Sequence, residues 1–197
     1  MTASAPVWVV AGAPGAGKTT IAQALCRMLQ PTPALLDKDT LFSGFVAEVL
    51  ATRGRAYGER EGAWYDAHVK VHEYAGLTAA ARQIRSLGCS VVLVAPFTAE
   101  IRDVARWSSW VAELGGETVR LIWVRSDAAT LRSRLTSRER GRDQGKLDDF
   151  EAFVERMQPD VPPPVPHLEV DAREGAPTLE EQLPSLQARH DLRRGET

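Results

Sequence analysis

Eight consecutive residues, Gly12-Ala13-Pro14-Gly15-Ala16-Gly17-Lys18-Thr19, constrain this chain more than any other stretch. They fit G-x-x-x-x-G-K-[ST] and stand between a β-branched apolar run, Val7 to Ala11, and a helical pattern carrying Ile21, Leu25, Met28 and Leu29 on one side. In that context backbone N–H groups wrap around phosphate oxygens, because a Cβ at Gly15 or Gly17 would crowd the anion or the loop. The start of the helix adds about half a positive charge at the same place. The spacing predicts that Lys18 reaches the β- and γ-phosphates of ATP and that the Thr19 hydroxyl ligates Mg²⁺. The residues from Gly12 through Ala13, Pro14, Gly15, Ala16 and Gly17 to Lys18 and Thr19, with Thr20 after them, form the candidate nucleotide site.

The rest of the chain continues the alternation of strand and helix. Pro31 and Pro33 stop the first helix, and Ala34 to Leu36 gives a short strand ending at Asp37. Ser90 to Ala95 and Val119 to Val124 are continuous apolar runs of the kind buried on both faces of a parallel sheet, and His167 to Val170 reads as a last strand. Helices are expected over Leu41 to Leu50, about Ala63 to Leu87, Ile101 to Leu114, from a cap at Asp127, Asp148 to Met157 and Thr178 to Leu186. Five strands in this alternation predict an α/β fold of the P-loop NTPase type: a three-layer α/β/α sandwich around a five-stranded parallel sheet. At 197 residues the chain reads as one domain over 1–197, with ends fraying at 1–5 and 189–197.

Asp37 and Asp39 lie at the C-terminal edge of the second strand, where open α/β sheets bind ligands. One carboxylate there can accept a proton from an attacking hydroxyl while the other orients Mg²⁺ or its water shell. The structural alternative is that Asp37 merely ends the strand and Asp39 caps the next helix. The residue types alone leave open which acid is the base.

With cradle and acid pair in place, the sequence resembles the small P-loop kinases, the group of gluconate kinase, adenylylsulfate kinase, chloramphenicol phosphotransferase and zeta-toxin-like kinases. The resemblance covers approximately Val7 to Val170. It implies that the D-x-D element supplies the general base, assigned to Asp39, with Asp37 and Thr19 toward the metal. Five arginines, Arg132, Arg134, Arg138, Arg140 and Arg142, fall within eleven residues. Arg134 and Arg138, four apart, share a helix face, and guanidinium groups suit the charge on a moving phosphoryl group. In these kinases an R-x-x-x-R segment opens a lid over ATP, which implies an arginine-rich lid over about 132–147, Arg134 near the adenine or ribose, and Arg138 on the phosphates. The catalytic set is then Lys18, Asp37, Asp39 and Arg138, and the function an ATP-dependent transfer of the γ-phosphoryl group to a hydroxyl of a small molecule, a metabolite or antibiotic.

Charge and hydropathy narrow the alternatives. Twenty-four basic and 26 acidic residues leave a net charge of −2, so no global basic field advertises nucleic acid, as a polynucleotide 5′-kinase would want. A nucleotide-gated regulatory protein with slow hydrolysis is the other alternative. No apolar run approaches the ~18 to 20 residues that span a bilayer, and the N-terminus lacks a signal-type pattern, so the expected location is the cytoplasm. Oligomeric state stays open. The strand from Val91 to Val94 is followed by Ala95 and Pro96, so it does not end in the metal- and water-orienting acid that an ATPase motor wants. Cys26 and Cys89 read as reduced core thiols. His68 and His72, four apart, have no third ligand at a matching spacing and read mainly as helix surface. Trp64, Tyr65, Trp107 and Trp110 read as core with an acceptor wall as the alternative, and Arg53, Arg55 and Arg60 as a solvated loop or an anion contact.

Overall fold

The strands appear where the apolar runs are. A computed structural model describes residues 5–137 and 143–184. β1 (Val7–Ala11), β2 (Ala34–Asp37), β3 (Val91–Val94), β4 (Val119–Arg125) and β5 (Leu168–Asp171) form one sheet in the order β2-β3-β1-β4-β5, parallel throughout. All five residues of β1 are buried because it lies between β3 and β4 and is covered on both faces. Successive Cβ atoms alternate across the sheet. Trp8 and Val10 therefore pack with α1 (Lys18–Met28), α7 (Ala128–Ser137) and α9 (Phe150–Met157) through Ile21, Leu25, Leu131, Leu135 and Phe153. Val7, Val9 and Ala11 face α4 (Val71–Ser86) and α6 (Val104–Leu114) through Leu77, Ala81, Trp107 and Leu114. A smaller cluster joins Val46 and Leu50 of α2 (Lys38–Ala51) to Tyr65 and Val69, building a cap beside the C-terminal end of β2.

Several boundaries differ from those the sequence predicts, each for a local reason. The helix expected over Ile101 to Leu114 is two, α5 (Thr98–Arg102) and α6, because Asp103 is extended and its carboxylate caps α6 by accepting from the N–H groups of Ala105 and Arg106. The long helix from Ala63 carries a π stretch, Asp66–Lys70, between α3 (Ala63–Tyr65) and α4. The helix expected from Asp148 begins at Phe150, and a short α8 (Gln144–Asp148) precedes it. Cys26 is half-buried, with burial pushing its thiol up, but Cys89 is exposed, since it lies in the turn between α4 and β3. Asp127 caps α7 as predicted, accepting from Thr130 N–H at 2.7 Å.

Arg85 ties three segments together. Its guanidinium donates to the carbonyls of Ala5 and Leu114, each at 2.6 Å, to Gly115 O at 3.2 Å and to Thr118 Oγ1 at 2.7 Å. Ala5 is thereby anchored and buried at the start of β1. Arg85→Met should destabilise the fold by about 2–3 kcal/mol, since carbonyls lose charged donors. A thermal melt should fall by several degrees, roughly 5–10 °C; a change under about one degree would refute this role.

Candidate active site

The loop leaving β1 is shaped by positions that only glycine suits. Gly12 has φ +146 and a Cβ there would lie 2.7 Å from the carbonyl oxygen of Val124; Gly15 has φ +91 and its Cβ would press on Leu135 at 3.3 Å. Ala13 and Ala16 are buried in the core, and Pro14 is half-buried. Gly12 N–H donates to Pro96 O at 3.3 Å, fastening the loop to the end of β3. α1 then starts after Gly17 with no side-chain cap on its N-terminus, which leaves first-turn N–H groups to serve an anion. Lys18 Nζ donates to Ala13 O at 3.0 Å, so the ammonium lies across the loop, while Thr19 and Thr20 are exposed in the first turn.

The acid pair stands across β3 from this loop and is joined to it. Register places Asp37 beside Val94 and Val94 beside Val10, so β1, β2 and β3 end level. Thr19 Oγ1 donates to Asp37 Oδ2 at 2.8 Å. The other oxygen of Asp37 accepts from the N–H groups of Asp39 at 2.9 Å and Thr40 at 3.3 Å. Asp37, not Asp39, therefore caps α2, correcting the alternative assignment made from sequence. A hydroxyl and a carboxylate at this spacing form a hard-oxygen donor set that suits Mg²⁺.

Asp39 points elsewhere. Its Oδ1 lies 3.2 Å from Lys38 Nζ and 4.0 Å from an Arg60 nitrogen, with the side chain 43% exposed. Lys38 turns inward to Glu73, which is 2% exposed, at 2.9 Å, and Tyr65 Oη donates to the second oxygen of Glu73 at 2.7 Å. Burial and the neighbouring Glu73 push the Tyr65 phenol far above its ordinary value. Burial also raises Glu100, whose Oε2 is buried without a hydrogen-bond partner, and it raises the Tyr74 phenol. After β3 come Ala95, Pro96 and a buried Phe97 at φ 48, whose N–H donates to Tyr74 Oη.

Arg134 reaches the loop from α7, donating to Ala16 O at 3.1 Å and to Ala172 O, just beyond β5, at 2.8 Å. Arg132 instead lies over the Phe150 ring, 4.2 Å from its centroid. Arg138, Arg140 and Arg142 fall outside the described residues, and with them the middle of the expected lid. On its far side Lys146 pairs with Asp143 at 2.8 Å. Among the candidates read as optional, Arg60 stands beside Asp39 and over the Tyr57 ring, whereas Arg53 and Arg55 lie over Trp64. Trp107 and Trp110 belong to the core, and Tyr65 to the Glu73 network. His68 and His72 are exposed, His68 stacked on Trp64.

Lys38 and Glu73 are the site residues that sequence reading missed. Their signal was present: Glu73 occupies the stripe continued by Leu77 and Ala81, so a carboxylate sits where the period of α4 demands an apolar side chain.

Comparisons with known proteins agree with this architecture. The family described as an AAA domain matches residues 7–159. No curated protein matches the chain. A kinase candidate from Chloroflexus aurantiacus J-10-fl is similar in structure at 23% identity and a TM-score of 0.68, over 97% of this chain and 98% of that one. A gluconokinase from Sinorhizobium meliloti 1021 aligns at 13% identity and a TM-score of 0.59, covering 98% and 99% of the two chains. The APS kinase of Mycobacterium tuberculosis, solved with AMPPNP and APS, aligns at 15% identity and 0.59, covering 94% and 96%. At these identities the structural likenesses speak for the fold, which is that of the small P-loop kinases. The chain belongs to the AAA domain family.

Proposed function

We propose that this protein is an ATP-dependent phosphotransferase that moves the γ-phosphoryl group of Mg-ATP to a hydroxyl of a small molecule. The observation that carries the reading is the 2.8 Å bond from Thr19 to Asp37, which joins the phosphate cradle to the acid pair and leaves Asp39 beside it. Asp37 is occupied by Thr19 and by the α2 cap, whereas Asp39 is half-exposed, so the two acids divide their tasks. Asp39 accepts the proton of the acceptor hydroxyl. As it does so the acceptor oxygen bonds to the γ-phosphorus, the bond from that phosphorus to the β,γ-bridging oxygen breaks, and ADP leaves with that electron pair. Lys18, and Arg138 from the segment outside the described residues, balance charge on the transferring group. Thr19 and Asp37 would hold Mg²⁺, which when bound neutralises phosphate oxygens. Arg134 is assigned to the nucleoside end, a reading supported by its bond to Ala16 O in the cradle.

A small acceptor is supported by the kinases of similar fold, gluconokinase, APS kinase and shikimate kinase among them. The whole chain, 1–197, is read as this one kinase domain with a lid over 132–147. Among the described residues no helix is long and apolar enough to cross a membrane. The test is ADP release with Mg-ATP against a panel of hydroxyl compounds. An accepted compound should stimulate release, and Asp39→Asn should lower that rate by about 10²- to 10⁴-fold with nucleotide affinity unchanged. Release indifferent to every compound and to Asp39→Asn would overturn the proposal.

A further inference from the structure

We infer that Lys38, anchored by Glu73 and Tyr65, is the positioning residue of Asp39: its ammonium holds the carboxylate in the rotamer that meets the acceptor hydroxyl. The inference rests on the reading of Asp39 as the proton acceptor. A half-exposed aspartate without a fixed partner samples several rotamers, and displacements near 1 Å at a reacting group are costly. Here one ammonium is shared between Asp39 Oδ1 at 3.2 Å and Glu73 Oε1 at 2.9 Å. Lys38 is itself only 11% exposed on its side chain, so this geometry is not one of many solvated alternatives. Glu73 is buried and spends its second oxygen on Tyr65, which locks the carboxylate that locks the lysine. Arg60, fixed on Ser43 O and the Tyr57 ring, adds a longer contact to the same Asp39 oxygen.

The backbone is arranged to make this anchor. In an uninterrupted α-helix, residues eight apart are turned about 80° from one another. The π stretch Asp66–Lys70 lies between Tyr65 and Glu73 and takes up one extra residue. The two are then related as residues seven apart would be, roughly 20° off a common line, and the side chains meet. A π stretch gives up regular α-helical hydrogen bonds, and here it aligns the two groups that hold Lys38. At the other end, the Asp37 cap fixes where α2 starts and so sets Lys38 as its first residue.

Lys38→Met alone leaves the Glu73 carboxylate buried without a cation, so the decisive variant is Lys38→Met combined with Glu73→Gln, which removes both charges and keeps an acceptor for Tyr65. Its melting temperature and its affinity for AMPPNP should stay near wild type. Its crystal structure should show Asp39 rotated or in several rotamers. With a compound drawn from D-gluconate, shikimate, APS and further hydroxyl compounds, kcat should fall roughly ten- to a hundredfold while KM for ATP holds. Lys38→Arg with Glu73 intact should recover most of that loss. Asp39 unmoved in the double variant, or wild-type kcat, would overturn the inference, and the crystal structure decides it even if no compound in the panel is phosphorylated. Asp39→Asn is the control that separates the two claims. If it is inactive while the double variant is fully active, the positioning role fails and the kinase reading stands; if it retains full transfer, the kinase reading of Asp39 fails with it.

Discussion

Replacing Lys18 by alanine is expected to lower phosphoryl transfer by about 10²- to 10³-fold without unfolding the protein, the loss seen when one preorganised stabiliser of developing charge is removed. The ammonium lies over the cradle, where it donates to Ala13 O at 3.0 Å. That bond is worth about 1 kcal/mol, so the melting temperature should move by only a few degrees. Lys18→Arg should not restore the rate, because a planar fork on a different stem places its charge elsewhere in a loop packed this tightly. Turnover within threefold of wild type in Lys18→Ala, measured as ADP release with a saturating acceptor, would remove the cradle from the chemistry.

Glu73→Leu carries the second large effect, on stability. The substitution leaves the Lys38 ammonium in a site that is nearly closed to water and strips the Tyr65 hydroxyl of its acceptor. Breaking a buried pair from one side costs about 3–5 kcal/mol. For a chain of this size that is on the order of 10 °C in a thermal melt. Asp39, 3.2 Å from the ammonium but 43% exposed, remains as a partner and offsets only part of that cost. An unchanged melt would mean that Lys38 escapes to solvent and that the network is not a fixed part of the fold.

The strands and the cradle were legible in the sequence because each depends on a single strong constraint. Strands buried on both faces require unbroken apolar runs, and Val7 to Ala11 is read without error. The cradle requires glycine wherever backbone approaches an anion or another chain segment, and Gly12 against Val124 is such a place. What the sequence hid depends on competition between local options. Asp103 ends one helix and begins another because its side chain out-competes the helical backbone, a choice that an amphipathic period does not register. Asp37 and Asp39 are chemically equivalent in sequence, and only the placement of Thr19 across β3 gives them different partners. The π stretch shifts the helical phase by one residue, so the meeting of Tyr65 and Glu73 is invisible to any fixed period.

The most direct measurement is a ³¹P NMR time course of the protein with Mg-ATP and an acceptor that stimulates turnover. A phosphomonoester resonance should grow in step with ADP, with little inorganic phosphate, and should vanish in Asp39→Asn. Inorganic phosphate as the sole product, formed at one rate with or without every acceptor tried, would contradict transfer to an acceptor.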